Sequence, residues 1–369
     1  MKNKKILFVL PNMGGGGAER VIARLANAWA QNLCEVSIIT LVNKPSFYKL
    51  DERVHFVRGN ILIDRSNKWK TYWSKLIGFP SSLRFVYRTI SKKHFDMVIS
   101  FIPETDILVY ICKLLGLRFH HISSERGDPF RKSLLRRWLL GFIYKRTSLF
   151  VCQSKKVFDY YSYIKPEAKC VIPNPIDLAN LPAPINKPSL RIVSVGRLCP
   201  QKNFALLIDS FAQIAAQFPD YRLDIYGEGP LRPALQTQID KLGLQNKIML
   251  KGSSPQVLKE IADAALFVFP SNYEGFPNAL LEALALGLPL ISTDFATGTA
   301  RELIGPENGI IVPLGDKFAM AQAITTILSD PAKQKAMRNA NIKKAKKYDL
   351  SIIIKQWEDA LDKMVANKN

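Results

Sequence analysis

The sequence predicts an α/β protein made of two successive Rossmann-like β/α/β domains, and three observations lead there. The chain has 369 residues, more than one hydrophobic core usually organises. Buried-type strands alternate with helical periodicity along most of its length, the mark of parallel β/α units. A proline-dense stretch, Pro173-Asn174-Pro175 followed by Pro182, Pro184 and Pro188, breaks the alternation near the middle, and the alternation then starts again. The expected domains are residues 1–175 and 176–349.

In the first domain, the apolar run from Lys5 to Leu10 reads as a strand; Ile6 to Pro11 is too short for a signal-peptide core. A four-glycine loop, Gly14 to Gly17, leads into a helix with Val21, Ile22, Leu25, Ala26 and Trp29 on one side. Further strands are expected at Glu35 to Leu41, Met97 to Phe101, His121 to Ser124, Leu149 to Cys152 and Cys170 to Ile172. In the second domain, strands are expected at Arg191 to Val195, Tyr221 to Tyr226, Ile248 to Leu250, Leu266 to Pro270, Pro289 to Thr293 and Ile310 to Val312. Helices are expected at Phe204 to Phe218, Leu231 to Lys241, Val257 to Ala264 and Asn278 to Ala285. Parallel sheets bind ligands beyond the carboxyl ends of their strands, so a cleft between the domains is the expected active site.

Composition narrows the function classes. Five cysteines, at 34, 112, 152, 170 and 199, lack CxxC or metal-ligand spacing, which points to a reducing cytoplasm rather than a disulfide framework or a zinc site. No uncharged apolar stretch reaches the roughly 20 residues needed to cross a bilayer; Ile107 to Phe119 is broken by Lys113 and Arg118. The net charge of +21 is uneven: residues 1–185 hold 30 Lys/Arg against 13 Asp/Glu, and residues 186–369 hold 22 against 18. The first half therefore faces something anionic, nucleic acid or lipid.

The segment Ser271-Asn272-Tyr273-Glu274-Gly275-Phe276-Pro277-Asn278-Ala279-Leu280-Leu281-Glu282 carries the strongest chemical signal. It follows a strand, Pro277 suits the first position of a helix, and free N–H groups at a helix start bind phosphate. Glu274 and Glu282 would stand about 12 Å apart on a continuous helix, a span suited to the two ends of a nucleotide sugar. The paired carboxylates of a retaining glycosidase need about 5 Å, so that route to hydrolysis is disfavoured. Upstream, Gly196-Arg197 and Gln201-Lys202-Asn203 put two cations at the edge of the same sheet, where fixed charges stabilise a leaving diphosphate without a metal. No Asp-x-Asp is present; Glu104-Thr105-Asp106 comes nearest and reads as a solvated loop. The glycine loop lacks the GxGxxG register of a dinucleotide site.

These motifs resemble glycosyltransferase family 4, the retaining sugar transferases of GT-B fold, in which two Rossmann-like domains face a central cleft. The resemblance rests on Gly16-Gly17-Ala18-Glu19-Arg20, on Ile172 to Asp177, on Gly196 to Leu198 with Gln201 to Asn203, on Tyr226 to Pro230, and on Glu274 to Glu282 followed by Gly287-Leu288-Pro289. It implies that Glu274, Arg197 and Lys202 carry catalysis, Glu274 on the donor-sugar hydroxyls and the two cations on the diphosphate. Glu282 would hold the ribose, with Gly275, Phe276, Pro277, Asn278 and Leu281 beside the sugar and phosphate. Gly196, Gly227 and the loop residues Gly15, Gly16 and Gly17 would complete the donor site. No metal and no cofactor is implied. A final helix from Leu350 to Val365, within 350–369, would cross back to the first domain.

Many family members carry a His after a central strand of the first domain; here the strand runs into Ser123-Ser124-Glu125-Arg126-Gly127-Asp128-Pro129, with His120 and His121 at its start. Glu125 and Arg126 are the expected acceptor-side residues, with His121 as a further candidate. The stretch looks like that of members building cell-surface polysaccharides and lipid-linked oligosaccharides, which implies a nucleotide-sugar donor, UDP by preference. Two segments suit a membrane surface: Arg131 to Arg146, with six cations and a large apolar face, and Lys68 to Lys93, with Trp69, Tyr72, Trp73 and Phe79 among lysines and arginines. Each Lys or Arg near an anionic leaflet contributes about 1 kcal/mol. The expected setting is the inner face of the cell membrane, with a polyprenyl-diphosphate-linked glycan as acceptor. A sugar-nucleotide epimerase and a nucleic-acid-binding protein are the competing readings; no nucleic-acid module is recognisable, and nucleic acid is not an expected partner.

Overall fold

The computed structural model describes residues 3–32, 34–61, 68–183 and 188–366, with the side chains of 68–76 also left aside. Pro184 and the side chains of Trp69, Tyr72 and Trp73 thus lie outside the described residues. The chain folds as two compact units, Met1–Asn174 with Ser351–Asn369, and Pro175–Leu350.

In the first unit the elements run β1 (Lys5–Leu10), α1 (Gly17–Gln31), β2 (Glu35–Thr40), β3 (His55–Arg58), α2 (Lys68–Lys93), β4 (Met97–Ser100), α3 (Pro103–Leu114), β5 (His120–Ser124), α4 (Leu134–Tyr144), β6 (Leu149–Cys152), α5 (Lys155–Tyr160) and β7 (Lys169–Val171). All seven strands are parallel, in the order β3-β2-β1-β4-β5-β6-β7. The order reverses direction between β1 and β4, and there the loops leaving the two strands diverge to open a crevice.

The second unit runs β8 (Arg191–Val195), α6 (Phe204–Ile214), β9 (Arg222–Tyr226), α7 (Arg232–Lys241), β10 (Ile248–Gly252), α8 (Val257–Ile261), β11 (Leu266–Phe269), α9 (Asn278–Ala285), β12 (Leu290–Thr293), α10 (Thr299–Leu303), β13 (Gly309–Val312), α11 (Lys317–Leu328) and α12 (Pro331–Ala345). Its six strands are also parallel, β10-β9-β8-β11-β12-β13, with the reversal between β8 and β11.

The last helix, α13 (Leu350–Ala366), packs into the core of the first unit from Ser351 onward. Its buried residues Ile353, Trp357, Leu361 and Met364 recur at three- and four-residue spacing, the stripe of a helix laid on a core. Trp357 stacks on Phe101 with ring centroids 5.8 Å apart and meets Trp29 edge-on at 6.4 Å. Among the described residues, no helix is long and apolar enough to cross a membrane.

Candidate active site

The reversal between β8 and β11 gathers most of the residues expected at the donor site. β8 and β11 are strands because Ile192, Val193, Leu266, Phe267 and Val268 are wholly enclosed between helix layers. Past the end of β8, Gly196 N–H donates to the Tyr226 carbonyl at 2.9 Å and Leu198 N–H to the Glu228 carbonyl at 3.0 Å. The two loops are thus pressed together. Gly227 has φ +136°, and a Cβ there would overlap the Gly196 carbonyl oxygen, so only glycine fits. Arg197 leaves the sheet at this edge with its side chain exposed.

Four hydrogen bonds then lace residues 200–203 to residues 272–273. Asn272 N–H donates to the Gln201 carbonyl at 2.8 Å, Gln201 Nε2 to the Tyr273 carbonyl at 2.9 Å, Asn203 Nδ2 to Asn272 Oδ1 at 3.0 Å, and Asn272 Nδ2 to the Pro200 carbonyl at 2.9 Å. Their joint effect is to deliver Lys202 to Glu274: Nζ donates to Oε1 at 2.5 Å. The side chains are only 17% and 10% exposed, so each charge depends on the other. Lys202 Nζ also lies 4.8 Å from the centre of the Phe269 ring.

The loop carrying Glu274 is held from behind. Thr297 Oγ1 donates to the Glu274 carbonyl at 3.0 Å and Thr299 Oγ1 to the Gly275 carbonyl at 3.0 Å. The sequence gives no local sign of these two threonines, because they act across more than twenty residues. Helix α9 starts at Asn278, so Pro277 is the residue before the first turn and not its first member. Pro277 has ψ 106°, an extended conformation that turns the chain into the helix. Phe276 and Leu281 are core residues, 6% and 1% exposed, so the Leu281 side chain, expected beside the sugar and phosphate, is enclosed in the core. Glu282 lies in the second turn of α9, 7% exposed.

The reversal between β1 and β4 in the first unit opens a pocket of about 720 Å³. Gly17, Glu19, Phe101, Glu104, Glu125, Arg126, Lys132 and Arg136 are among its walls. Gly16 precedes the first turn of α1 with φ −81°, and its carbonyl accepts from Tyr48 Oη at 2.9 Å. Gly15 packs beside the Phe47 ring. Thus the glycine loop and the pair expected on the acceptor side share one unit: Gly17, Glu125 and Arg126 line a common pocket.

Glu125 is 2% exposed and fully engaged: Oε1 accepts from Gly127 N–H at 3.0 Å, and Oε2 accepts from Tyr161 Oη at 2.9 Å and from Lys132 Nζ. Burial lowers the Lys132 pKa to about 7. Arg126 Nη1 donates to Asn174 Oδ1 at 2.8 Å, and its guanidinium lies 4.1 Å over the Phe101 ring and 5.7 Å from Trp357. Burial brings its pKa down to about 9.

Two expectations fail beneath this pocket. Glu104-Thr105-Asp106 is not a solvated loop: it opens α3, and Thr105 and Asp106 are completely buried. Asp106 Oδ1 accepts from Ser100 Oγ and Ser123 Oγ, both at 2.5 Å, and Oδ2 from Tyr144 Oη at 3.3 Å. His121 is likewise completely buried, with Nε2 3.0 Å from Ser100 Oγ, and belongs to this cluster rather than to the pocket wall. The alternation of β5 explains it, since residues 121 and 123 point to one face. Burial raises the Asp106 pKa to about 7 and lowers that of His121 to about 3. Among the described residues, no group of three or more His, Cys, Asp and Glu side chains is placed to hold a metal ion.

Two family models match the chain: that for Glycosyltransferase Family 4 over residues 15–180, and that for Glycosyl transferases group 1 over residues 182–345. A relative from Campylobacter jejuni, N-acetylgalactosamine-N,N'-diacetylbacillosaminyl-diphospho-undecaprenol 4-alpha-N-acetylgalactosaminyltransferase, is 29% identical over 94% of this chain and 96% of its own. The UDP-Gal:alpha-D-GlcNAc-diphosphoundecaprenol alpha-1,3-galactosyltransferase of Escherichia coli is 26% identical over 79% of this chain and 82% of its own. Among solved structures, sucrose-phosphate synthase from Thermosynechococcus elongatus superposes with a TM-score of 0.84 at 18% identity, covering 99% of this chain and 100% of that one.

Proposed function

Because the chain belongs to glycosyltransferase family 4 and has the GT-B fold, we propose that it moves a hexose or N-acetylhexosamine from a UDP-sugar to a lipid-diphosphate-linked glycan, with retention and without a metal. The observation that carries the reading is the Lys202–Glu274 pair at the β8/β11 reversal. The Campylobacter and Escherichia relatives, whose names specify diphospho-undecaprenol acceptors, support the acceptor class, and the latter's UDP-Gal supports the donor.

In this reading, the unloaded site keeps two desolvated charges paired. A donor diphosphate competes for Lys202 and frees Glu274 to accept hydrogen bonds from the sugar hydroxyls. Arg197, exposed at the same sheet edge, joins Lys202 on the phosphates, and Glu282 takes the ribose. As the bond from the anomeric carbon to the phosphate oxygen breaks, charge grows on the leaving group, and the fixed cations stabilise it there. The acceptor oxygen attacks from the same face, forms the new bond to the anomeric carbon, and gives its proton to the departing phosphate. Glu125 and Arg126 in the first unit's pocket shape the acceptor side. The five cysteines are all free thiols, in keeping with a reducing cytoplasmic setting.

A panel of UDP- and other nucleotide-sugars with lipid-diphosphate-linked acceptors, read by mass spectrometry, tests this. The expected result is one mass increment of a hexose or N-acetylhexosamine from a UDP donor, at an unchanged rate in chelator. Conversion of the donor in the absence of acceptor would make the protein an epimerase instead.

A further inference from the structure

Helix α4 is built on two incompatible faces. Leu140, Gly141, Ile143 and Tyr144 are buried against the first unit, whereas Leu134, Leu135, Trp138, Leu139 and Phe142 are 81%, 76%, 70%, 37% and 41% exposed. The exposed residues recur at i, i+1, i+4, i+5 and i+8, a single stripe. Trp138 stacks with Phe142 at 6.3 Å, and Phe142 meets Tyr110 of α3 edge-on. One turn beyond Tyr110 the patch continues at Leu114 and Leu115, 67% and 55% exposed. So continuous an apolar surface marks an interaction site.

Charge selects the partner. Residues 129–158 contain eight Lys/Arg and no Asp/Glu. Arg131, Arg136, Lys145 and Arg146 are exposed around the apolar stripe, and the Arg146 guanidinium lies 3.6 Å over the Phe142 ring. A second copy packed symmetrically on this face would set cations against cations. Nucleic acid would leave the leucines without a role. An anionic bilayer accepts both, apolar side chains below the headgroups and cations among the lipid phosphates.

The geometry points to α4 as a membrane-docking helix that fixes the pocket mouth at the level of the lipid headgroups. Arg131, Ser133 and Arg136 line the pocket, while Leu134, Leu135 and Trp138 between and beyond them face outward. The helix has 11 residues and is roughly 16 Å long, so no part of its apolar face is more than that from the pocket. The docking stands on α4 alone; only the delivery of a lipid-diphosphate acceptor to the pocket rests on the function proposed above.

The full chain sedimented with vesicles of phosphatidylcholine, with or without phosphatidylglycerol, provides the test. Enrichment on the anionic vesicles at low salt is expected, and Leu135→Asp with Trp138→Asp is expected to cut binding by about tenfold or more. Brominated lipids supply a readout that survives a poorly folding double variant. Trp29 and Trp357 are fully buried, so in a chain with Trp69 and Trp73 both replaced by Phe, Trp138→Phe is expected to remove most of the tryptophan quenching. Equal binding to both vesicle types, quenching unchanged by Trp138→Phe in the chain lacking Trp69 and Trp73, or a dimer in solution dissolved by the double variant would each overturn the proposal. Sugar transfer to a short-chain soluble acceptor without vesicle binding would sink the docking and leave the function standing. Vesicle binding without transfer from any donor would do the reverse.

Discussion

Lys202 Nζ donates to Glu274 Oε1 at 2.5 Å although 72 residues separate them in sequence. Removing either partner leaves the other charge buried and uncompensated, which costs more than the pair itself contributes. Lys202→Ala and Glu274→Ala should each lower kcat/KM by about 10²–10³-fold, the range for losing one preorganised group. The double variant should fall well short of the product of the two losses, because the residues act as a unit. Strictly multiplicative losses in a double-mutant cycle would mean that the pair has no joint role in turnover.

Gly227 tests the backbone beneath that pair. At φ +136° with the Gly196 carbonyl against its Cα, Gly227→Ala brings both a backbone conformation costing about 1–3 kcal/mol and a steric overlap. The melting temperature should drop by about 4–10 °C, and nucleotide affinity should weaken as the Gly196–Arg197 turn shifts. Isothermal titration with UDP beside thermal unfolding checks both, and an alanine variant with native stability would show that the two loops separate easily.

How much of this was legible depends on whether a residue's partner is local. The strands β1, β8 and β11 are apolar runs ending in glycine, proline or serine, and their places follow from composition. β3 was not foreseen: His55-Phe56-Val57-Arg58 is a short, largely exposed edge strand defined by its ladder to β2. Helix α12 was missed for a related reason. Its sequence shows almost no apolar stripe, and its buried positions include Gln334 and Asn341. Asn341 Nδ2 donates to the Leu288 and Asn308 carbonyls at 2.7 and 3.0 Å, a polar clamp that periodicity does not reveal. In the site, Glu274, Arg197 and Lys202 stand in recognisable motifs, whereas Thr297, Thr299 and the Ser100–Asp106–Ser123 cluster become visible only when the strands are laid side by side.

Trp357 joins the last helix to the first unit's core through Trp29 and Phe101. It is completely buried, so Trp357→Ala should cost about 3–5 kcal/mol. The same change removes one of the two rings under the Arg126 guanidinium. Trp357→Phe should recover most of the stability, and hydrogen exchange should show the loss within 1–174 and not within 175–350. An equal loss of protection in both units would mean that α13 supports more than the core it is packed in.

Asp106 and His121 make a pH prediction with a definite sign, because Ser100 joins them. Burial lifts Asp106 from 3.8 to about 7, so the folded protein keeps a proton that the unfolded chain has lost, and stability falls as pH rises through that window. Burial lowers His121 from 6.5 to about 3, so the unfolded chain takes up a proton that the folded protein refuses, and stability falls as pH drops below 6.5. Between about pH 4 and pH 6.5 the two slopes oppose each other at about 1.4 kcal/mol per pH unit each, and the pair contributes almost no net pH dependence. Each substitution should expose the other group. Asp106→Asn should lose stability relative to the wild type as pH falls from about 6.5, and His121→Gln should lose it as pH rises from about 4. Urea midpoints across that interval read the difference directly, and variants whose pH profiles ran parallel to the wild type would show that neither group is held away from its ordinary titration.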